Sequence, residues 1–324
     1  MQLNVDIIYL ICEELDPAQF ERYSTFYDAR TARKTLLSLG LTNKTFLEPA
    51  LDVLWKKIYS VDVLLYFLQT RKDLGTRSRV ITHDFSRKCP SMQVLDSMRS
   101  FLRIPRGGNQ KVIMKCQIDP SRWNRMLYYT SRVRVISLYR LDCVGGSIYP
   151  SSGEAPQCIF PNLRKLCASQ LLISSGSLPF FLSDSLLSVE FSSYGKDAPD
   201  LGPTLSSVAQ MAPTLEEITL LYGEHRPFSS FSSTLRTLEE LRVLRIHGIP
   251  THYDQDFIAT ISNLRKLTDL SLKVPSTTRL NYNGIPNSGF ASLKHFSIGA
   301  SIDETHAFLS KVPSTVLQSL EVTT

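Results

Sequence analysis

The chain has 324 residues, of which 43% are hydrophobic, so it is long enough to bury a sizeable core. No run of eighteen apolar residues occurs and the amino terminus carries acidic side chains, so neither a membrane span nor a secretory signal is expected. Six cysteines without CxxC spacing are expected to be reduced thiols, which indicates a protein of the cytoplasm, the nucleus or both.

The net charge of +6 is concentrated in one segment. Residues 61–134 carry 15 basic and 5 acidic side chains, a net charge of +10, whereas residues 1–60 have a net charge of −1 and residues 135–324 one of −3. This pattern fits a solvated face, or a site for a local acidic partner, better than a domain that coats nucleic acid. The basic side chains between positions 71 and 88 are predicted to be solvated.

A small helical module is predicted at residues 1–60. Its first helix is expected in DIIYLICEEL, where four apolar residues are predicted to share one side: Ile7, Ile8, Ile11 and Leu15. A second apolar block leads into LTNKTFLEPALDVLWKKI, residues 41–58. Because helices of this number and size bury little surface alone, their apolar faces are expected to be shared with the next domain or with a partner.

Residues 61–130 are predicted to form a basic linker and the start of a solenoid, which continues through residues 131–324. In this second range the spacing L-x-x-L-x-L, with aliphatic or Phe substitutes, occurs eight times. The first anchors of the eight units are Val133, Leu163, Leu186, Leu215, Leu241, Leu267, Leu293 and Leu317. Their intervals of 23 to 30 residues are typical of leucine-rich repeats. The last two apolar positions of each unit lie two apart, so they face one side of a strand and need the next unit to cover them.

The segments between the anchors predict helices. GPTLSSVAQMAP has apolar residues at helical spacing, YDQDFIATISNL contains Asp254 as a predicted N-cap, and SIDETHAFLSKV pairs Ser301 with Glu304 at capping-box spacing. The predicted fold class is therefore α/β, with a small amino-terminal helical module followed by an irregular leucine-rich-repeat solenoid of parallel strands backed by helices. The last repeat has no evident polar cap, so a longer natural chain or a truncated gene product is expected.

The helical module resembles an F-box. LNVDIIYLICEEL is similar to the family's opening, Leu-Pro-x-Glu/Asp-Ile/Leu-Leu-x-x-Ile-x-x-x-Leu, except that Asn4 stands at the proline position and the segment after it, residues 16–34, is longer than usual. LSLGLTNKTFLEPALDVLWKKI resembles the second half of the motif, and its Glu-Pro-Ala-Leu run at 48–51 is similar to F-box proteins of mushroom-forming fungi. In those proteins a basic linker and irregular leucine-rich repeats follow, and WNRMLYYTSRVRVISL at 123–138 resembles their first repeat.

The resemblance implies a substrate-receptor subunit of an SCF-type (cullin–RING) ubiquitin ligase. Its module would bind the Skp-type adaptor of the cullin scaffold, and its repeats would bind a target protein. The adaptor-binding residues that the resemblance implies are Leu3, Ile7, Ile8, Ile11, Leu15, Leu41, Phe46, Leu54 and Trp55. One alternative is a leucine-rich-repeat scaffold without ligase association, in which Phe46, Leu54 and Trp55 only cover the end of the solenoid. Another is a nucleic-acid binder that uses the basic segment, although no repeat face interleaves aromatic with basic residues and the solenoid itself is net acidic.

On each repeat strand, the residues that flank the buried apolar pair are predicted to face the concave surface and the target. The largest of them are Tyr139, Arg245, His247, Asp269, Lys273 and His295. The alternative is a target that binds loops such as residues 145–162. No phosphate-binding glycine loop, nucleophile motif or zinc-binding histidine spacing occurs, so no enzyme, metal or cofactor is expected.

Overall fold

The computed structural model describes most of the helical module and of the repeats. The residues described are 4–19, 26–59, 120–138, 158–169, 173, 178–193, 201–222, 231–247, 256–274, 280–282, 284–286, 289–312 and 317–323. They belong to two compact units, Met1–Asn162 and Leu163–Thr324. The basic side chains at positions 71–88, which were predicted to be solvated, lie outside the described residues.

The first unit begins with three helices: α1 (Val5–Glu14), α2 (Phe26–Thr42) and α3 (Lys44–Lys56). Asn4 precedes α1, and its side-chain oxygen accepts a hydrogen bond from the backbone N–H of Asp6 (3.1 Å). Asparagine is among the best N-cap residues, so Asn4 starts this helix without the proline of the F-box pattern. Asn43 caps α3 in the same way, because its side chain accepts a hydrogen bond from the Thr45 backbone N–H (3.0 Å).

The helix α3 packs against both α1 and α2. Their shared core contains Ile8 and Cys12 from α1, Leu36 from α2, and Phe46, Ala50 and Val53 from α3. The α2–α3 contact is close at Gly40, where an added Cβ atom would lie 3.3 Å from the Ala50 Cβ. The module therefore has a core of its own, contrary to the expectation that such helices need a neighbour to bury their apolar faces.

Two strands complete the described part of the first unit. The strand β1 (Lys57–Ile58) follows α3 directly and pairs in parallel with β2 (Val135–Leu138). A further helix, α4 (Pro120–Thr130), precedes β2. The sequence pattern predicted β2 as the first repeat strand but contained no signal for β1.

The second unit contains the other seven predicted repeat strands. These are β3 (Lys165–Ser169), β4 (Ser188–Ser193), β5 (Glu217–Tyr222), β6 (Val243–His247), β7 (Asp269–Lys273), β8 (His295–Gly299) and β9 (Ser319–Thr323). Each pairs in parallel with the next strand along the chain. One apolar column crosses all seven strands in register: Leu166, Val189, Ile218, Leu244, Leu270, Phe296 and Leu320. The first six of these residues are buried and Leu320 on β9 is exposed, so the repeat prediction is confirmed as a solenoid-like α/β fold.

Helices connect several of these strands: a 3-10 turn (Leu178–Phe181), α5 (Gly202–Met211), α6 (Phe231–Leu235), α7 (Phe257–Ser262) and α8 (Ile302–Leu309). The predicted N-cap Asp254 lies outside the described residues; Asp256 precedes α7 and makes no side-chain capping bond. Only half of the predicted capping box forms at α8. The Ser301 hydroxyl accepts from the Glu304 backbone N–H (3.4 Å), whereas the Glu304 carboxylate accepts from the Tyr282 hydroxyl (2.7 Å).

Candidate docking surfaces

The helix α1 has one buried apolar side and one exposed apolar side. Ile8 is 2% exposed in the module core, whereas Ile7 and Leu10 are 47% and 63% exposed, and Ile11 is exposed as well. Positions 7, 10 and 11 lie on one face, because residues three and four apart are neighbours on a helix. We call Ile7, Leu10 and Ile11 the α1 stripe. The prediction that Ile8 shares a side with Ile7 and Ile11 is wrong, since the core takes up Ile8 alone of the three.

The helix α2 also exposes apolar side chains. Leu37 and Leu41, one turn apart, are both exposed, and Leu41 reaches 74%. Their neighbours Leu36 and Gly40 face the buried side. Large apolar side chains in a row on a surface helix are typical of an interaction site rather than of a solvated face. Sequence reasoning missed Leu10 and Leu37, although each lies three or four positions from a residue that it had selected.

The structure divides the predicted adaptor-binding residues into three groups. Ile8 and Phe46 are buried in the module core, and Leu15 and Leu54 are half-buried against it. Ile7, Ile11 and Leu41 are exposed and free to meet a partner. Leu3 lies outside the described residues. A direct docking role is therefore compatible with the exposed group, whereas charge at Ile8 or Phe46 would disrupt the module itself.

Trp55 lies against the helix that precedes the first repeat. Its ring centroid is 4.9 Å from that of Tyr129 on α4, and the Tyr129 ring meets Tyr128 edge-on at 5.1 Å. Aromatic pairs at these distances stabilise a contact beyond their buried area. This geometry favours the alternative in which Trp55 joins the module to the start of the solenoid over a docking role for Trp55.

A charged network connects the same helices. The guanidinium of Arg132 pairs with the carboxylates of Glu48 and Asp52 on α3, and its carbon lies 4.6 Å from the centroid of the Tyr128 ring. The Tyr128 hydroxyl donates to Glu48 Oε1 (2.7 Å), and the Tyr9 hydroxyl of α1 donates to Asp52 Oδ2 (3.0 Å). Thus Arg132, near the end of the basic segment, is paired with acids of the helical module.

The network shifts the titration of its members. The hydrogen bond from Tyr128, and then that from Arg132, lower the pKa of the Glu48 carboxyl below its usual value. The same hydrogen bond to Glu48 is the main cause that raises the pKa of Tyr128. Burial and the hydrogen bond to Asp52 raise the pKa of Tyr9. Both hydroxyls are therefore held as protonated donors, and Glu48 is held as a carboxylate.

The predicted concave face is more exposed from β6 onward than on β3, β4 and β5. On β3, β4 and β5, residues of this face are buried: Cys167, Ser169, Ser188, Ser192 and Thr219. From β6 onward the predicted target-binding residues reach solvent. His247, Lys273 and His295 are exposed, and Arg245 and Asp269 are half-buried. Tyr139 lies outside the described residues. On β3, β4 and β5, part of the predicted target-binding face is therefore covered by the rest of the protein.

Arg245 is held by an ion pair rather than standing free as a predicted contact for the target. Its Nη1 donates to Glu217 Oε1 (2.5 Å), and the other carboxylate oxygen of Glu217 accepts from the Ser188 hydroxyl (2.8 Å). These three residues lie on three successive strands. A target that contacts Arg245 would therefore meet an Arg–Glu pair of low net charge.

The described residues contain no group of three or more His, Cys, Asp or Glu side chains placed to hold a metal ion. Where the structure describes helices, none is both long and apolar enough to cross a membrane.

Comparisons with models of known protein families, with curated proteins and with solved structures found no match.

Proposed function

We propose that the chain is a substrate-receptor subunit of an SCF-type (cullin–RING) ubiquitin ligase, acting in the cytoplasm or nucleus. Its helices α1–α3 bind a Skp-type adaptor, and the sheet face from β6 onward binds a target protein. The observation that carries the proposal is the α1 stripe. Ile7, Leu10 and Ile11 stay in solvent although the same helix already buries Ile8 and Cys12 in a core.

The α1 stripe is an apolar surface that a partner protein can cover. Burial of apolar surface stabilises an interface by about 25 cal/mol per Å², so three large side chains exposed on one helix face are a strong contact for an apolar groove. Leu37 and Leu41 add a second exposed apolar pair on α2. An amphipathic helix laid into a groove uses anchors at the same three- and four-residue spacing.

The mechanism is proximity rather than covalent chemistry. One part of the chain holds the ligase and another holds the target, so a target lysine meets the charged conjugating enzyme at a high effective concentration. No residue of this chain needs to touch the reacting atoms. The proposed target-binding residues are Arg245, His247, Asp269, Lys273 and His295, which lie where the sheet face opens to solvent.

The test is adaptor binding by a variant of the α1 stripe. In the double variant Leu10→Asp with Ile11→Asp, two charges enter an apolar contact, and each desolvated charge costs several kcal/mol. We expect the affinity for a purified Skp-type adaptor, measured by calorimetry, to fall at least about 100-fold. The matched control is Thr35→Asp, which adds a carboxylate at an exposed position of α2 away from Leu37 and Leu41.

Two results would contradict the proposal. One is unchanged affinity of the folded double variant, with far-ultraviolet circular dichroism and melting temperature equal to wild type. The other is no adaptor binding by the wild-type chain. The second result would leave the leucine-rich-repeat scaffold without ligase association.

A further inference from the structure

Two segments that are far apart in the sequence pair with each other in the first unit. After α3, the residues Lys57 and Ile58 of β1 pair with Val135 and Ile136 of β2. The backbone N–H of Arg134 donates to the carbonyl of Lys56 (2.9 Å) at the same place. The chain therefore passes this point before position 60 and again after position 130.

Arg132 adds side-chain contacts to this backbone pairing. Its side chain is only 11% exposed, and it bridges Glu48 and Asp52, which are one turn apart on α3. The Tyr128 ring covers the guanidinium, and Tyr9 brings α1 into the network through Asp52. One residue next to the first repeat thus contacts or links to three helices of the unit.

The chemistry requires arginine at this position. A guanidinium has donors in a fixed planar fork, so its two Nη atoms can meet two carboxylates while its face stacks on an aromatic ring. A lysine ammonium is a single charged point and cannot make this arrangement. The Nε of Arg132 is buried without a hydrogen bond, a cost that the two ion pairs must offset.

We propose that Arg132 is a positioning residue that clamps the helical module directly onto the first repeat. The placement of α1–α3 beside β2 is then set by this clamp and by the β1–β2 pairing. We expect this placement to persist without residues 60–119, which fall almost wholly within the segment 61–130 that the sequence predicts as a basic linker and the start of the solenoid. The inference concerns the first unit alone and holds whether or not the chain binds an adaptor.

The first experiment replaces residues 60–119 in the full chain with a flexible Gly/Ser linker. The helix α4 spans about 16 Å, and a linker of about 12 residues has a comparable average reach. In a Trp123→Phe background, where Trp55 is the sole tryptophan, we expect the near-ultraviolet circular dichroism of Trp55, which reports its contact with Tyr129, to persist, and the urea midpoint to stay equal or rise. Loss of that signal with a lowered midpoint would overturn the proposal.

The second experiment is a double-mutant cycle of Arg132→Gln with Glu48→Gln, measured by urea unfolding. We expect a coupling of about 5- to 30-fold in the unfolding equilibrium constant, because this pair is shielded on the arginine side. The matched control pair is Lys266 and Glu240, an ion pair at 2.5 Å whose cation is 47% exposed, against 11% for Arg132. Its coupling is expected to stay below about threefold.

Two further readouts separate positioning from general stability. In Arg132→Gln, the loss of the Trp55 signal should precede the loss of helical circular dichroism during unfolding, whereas wild type should lose both together. Arg132→Lys should not restore the wild-type behaviour. The proposal is refuted if Arg132→Lys rescues it, or if the Arg132–Glu48 coupling is no larger than that of the control pair. Should Arg132→Gln fail to fold, the linker replacement decides the question.

Discussion

The division of α1 into a buried and an exposed side can be tested with two neighbouring isoleucines. Ile8 is buried against Cys12, Phe46 and Val53, whereas Ile7, the preceding residue, is about half exposed. Truncating a buried isoleucine to alanine removes its contacts and leaves a cavity, which costs 2–5 kcal/mol, so we expect about 3 kcal/mol for Ile8→Ala. The same truncation at Ile7 loses little burial and gains a few tenths of a kcal/mol in helix propensity, so its effect should stay within about 0.5 kcal/mol.

The assay is urea unfolding followed by tryptophan fluorescence. Both tryptophans, Trp55 and Trp123, belong to the first unit, so the signal reports that unit even if the second unfolds separately. We expect the midpoint of Ile8→Ala to fall clearly and that of Ile7→Ala to stay near wild type, with equal slopes. Equal losses for the two variants, or a larger loss for Ile7→Ala, would refute the orientation of α1 and with it the basis of the α1 stripe.

Two more predictions concern hydrogen bonds to carboxylates. Tyr282→Phe removes the hydroxyl that donates a hydrogen bond to the Glu304 carboxylate (2.7 Å), so the free energy of unfolding of the second unit should fall by about 1.5–3 kcal/mol. The second unit has no tryptophan, so unfolding is followed by far-ultraviolet circular dichroism, and a urea midpoint equal to wild type would contradict this. Glu48 has a lowered pKa in the folded chain, chiefly because of the hydrogen bond from Tyr128. Its ionised carboxylate therefore adds to the free energy of unfolding at neutral pH, and this stabilisation is lost as the pH falls below the ordinary glutamate pKa of about 4.3. Melting temperatures between pH 7 and pH 3 should therefore fall less steeply for Glu48→Gln than for wild type, and parallel curves would contradict the assignment.

The sequence was sufficient to predict the repeat strands. The eight strands β2–β9 lie at the predicted anchors, because the covered face of every strand needs apolar residues two positions apart, which leaves the same L-x-x-L-x-L spacing in each repeat. The helix register of α1 was harder to predict. DIIYLICEEL is apolar on more than one side, and its pattern alone cannot indicate whether Ile7 or Ile8 faces the core.

The Arg132 network had no local signal at all. Arg132 and Glu48 are separated by 84 positions, and each alone looks like a solvated charge in the sequence. Their meeting depends on the pairing of β1 with β2, and a two-residue strand such as β1 carries too little pattern to be recognised. The burial of Cys167 and Thr219 on the concave face is likewise a property of tertiary packing, which strand alternation does not predict.

The in-register columns of the second unit have a consequence for how such a protein can change through gene duplication. Each strand from β3 to β9 pairs only with its neighbours along the chain, and the same apolar column runs through all of them. If one whole repeat were deleted or duplicated, the strands brought together would therefore pair in the same register and continue the same apolar column, whatever the length of the loops between them. Repeat number can vary between descendants of one gene while the helical module, which has its own core, is inherited unchanged.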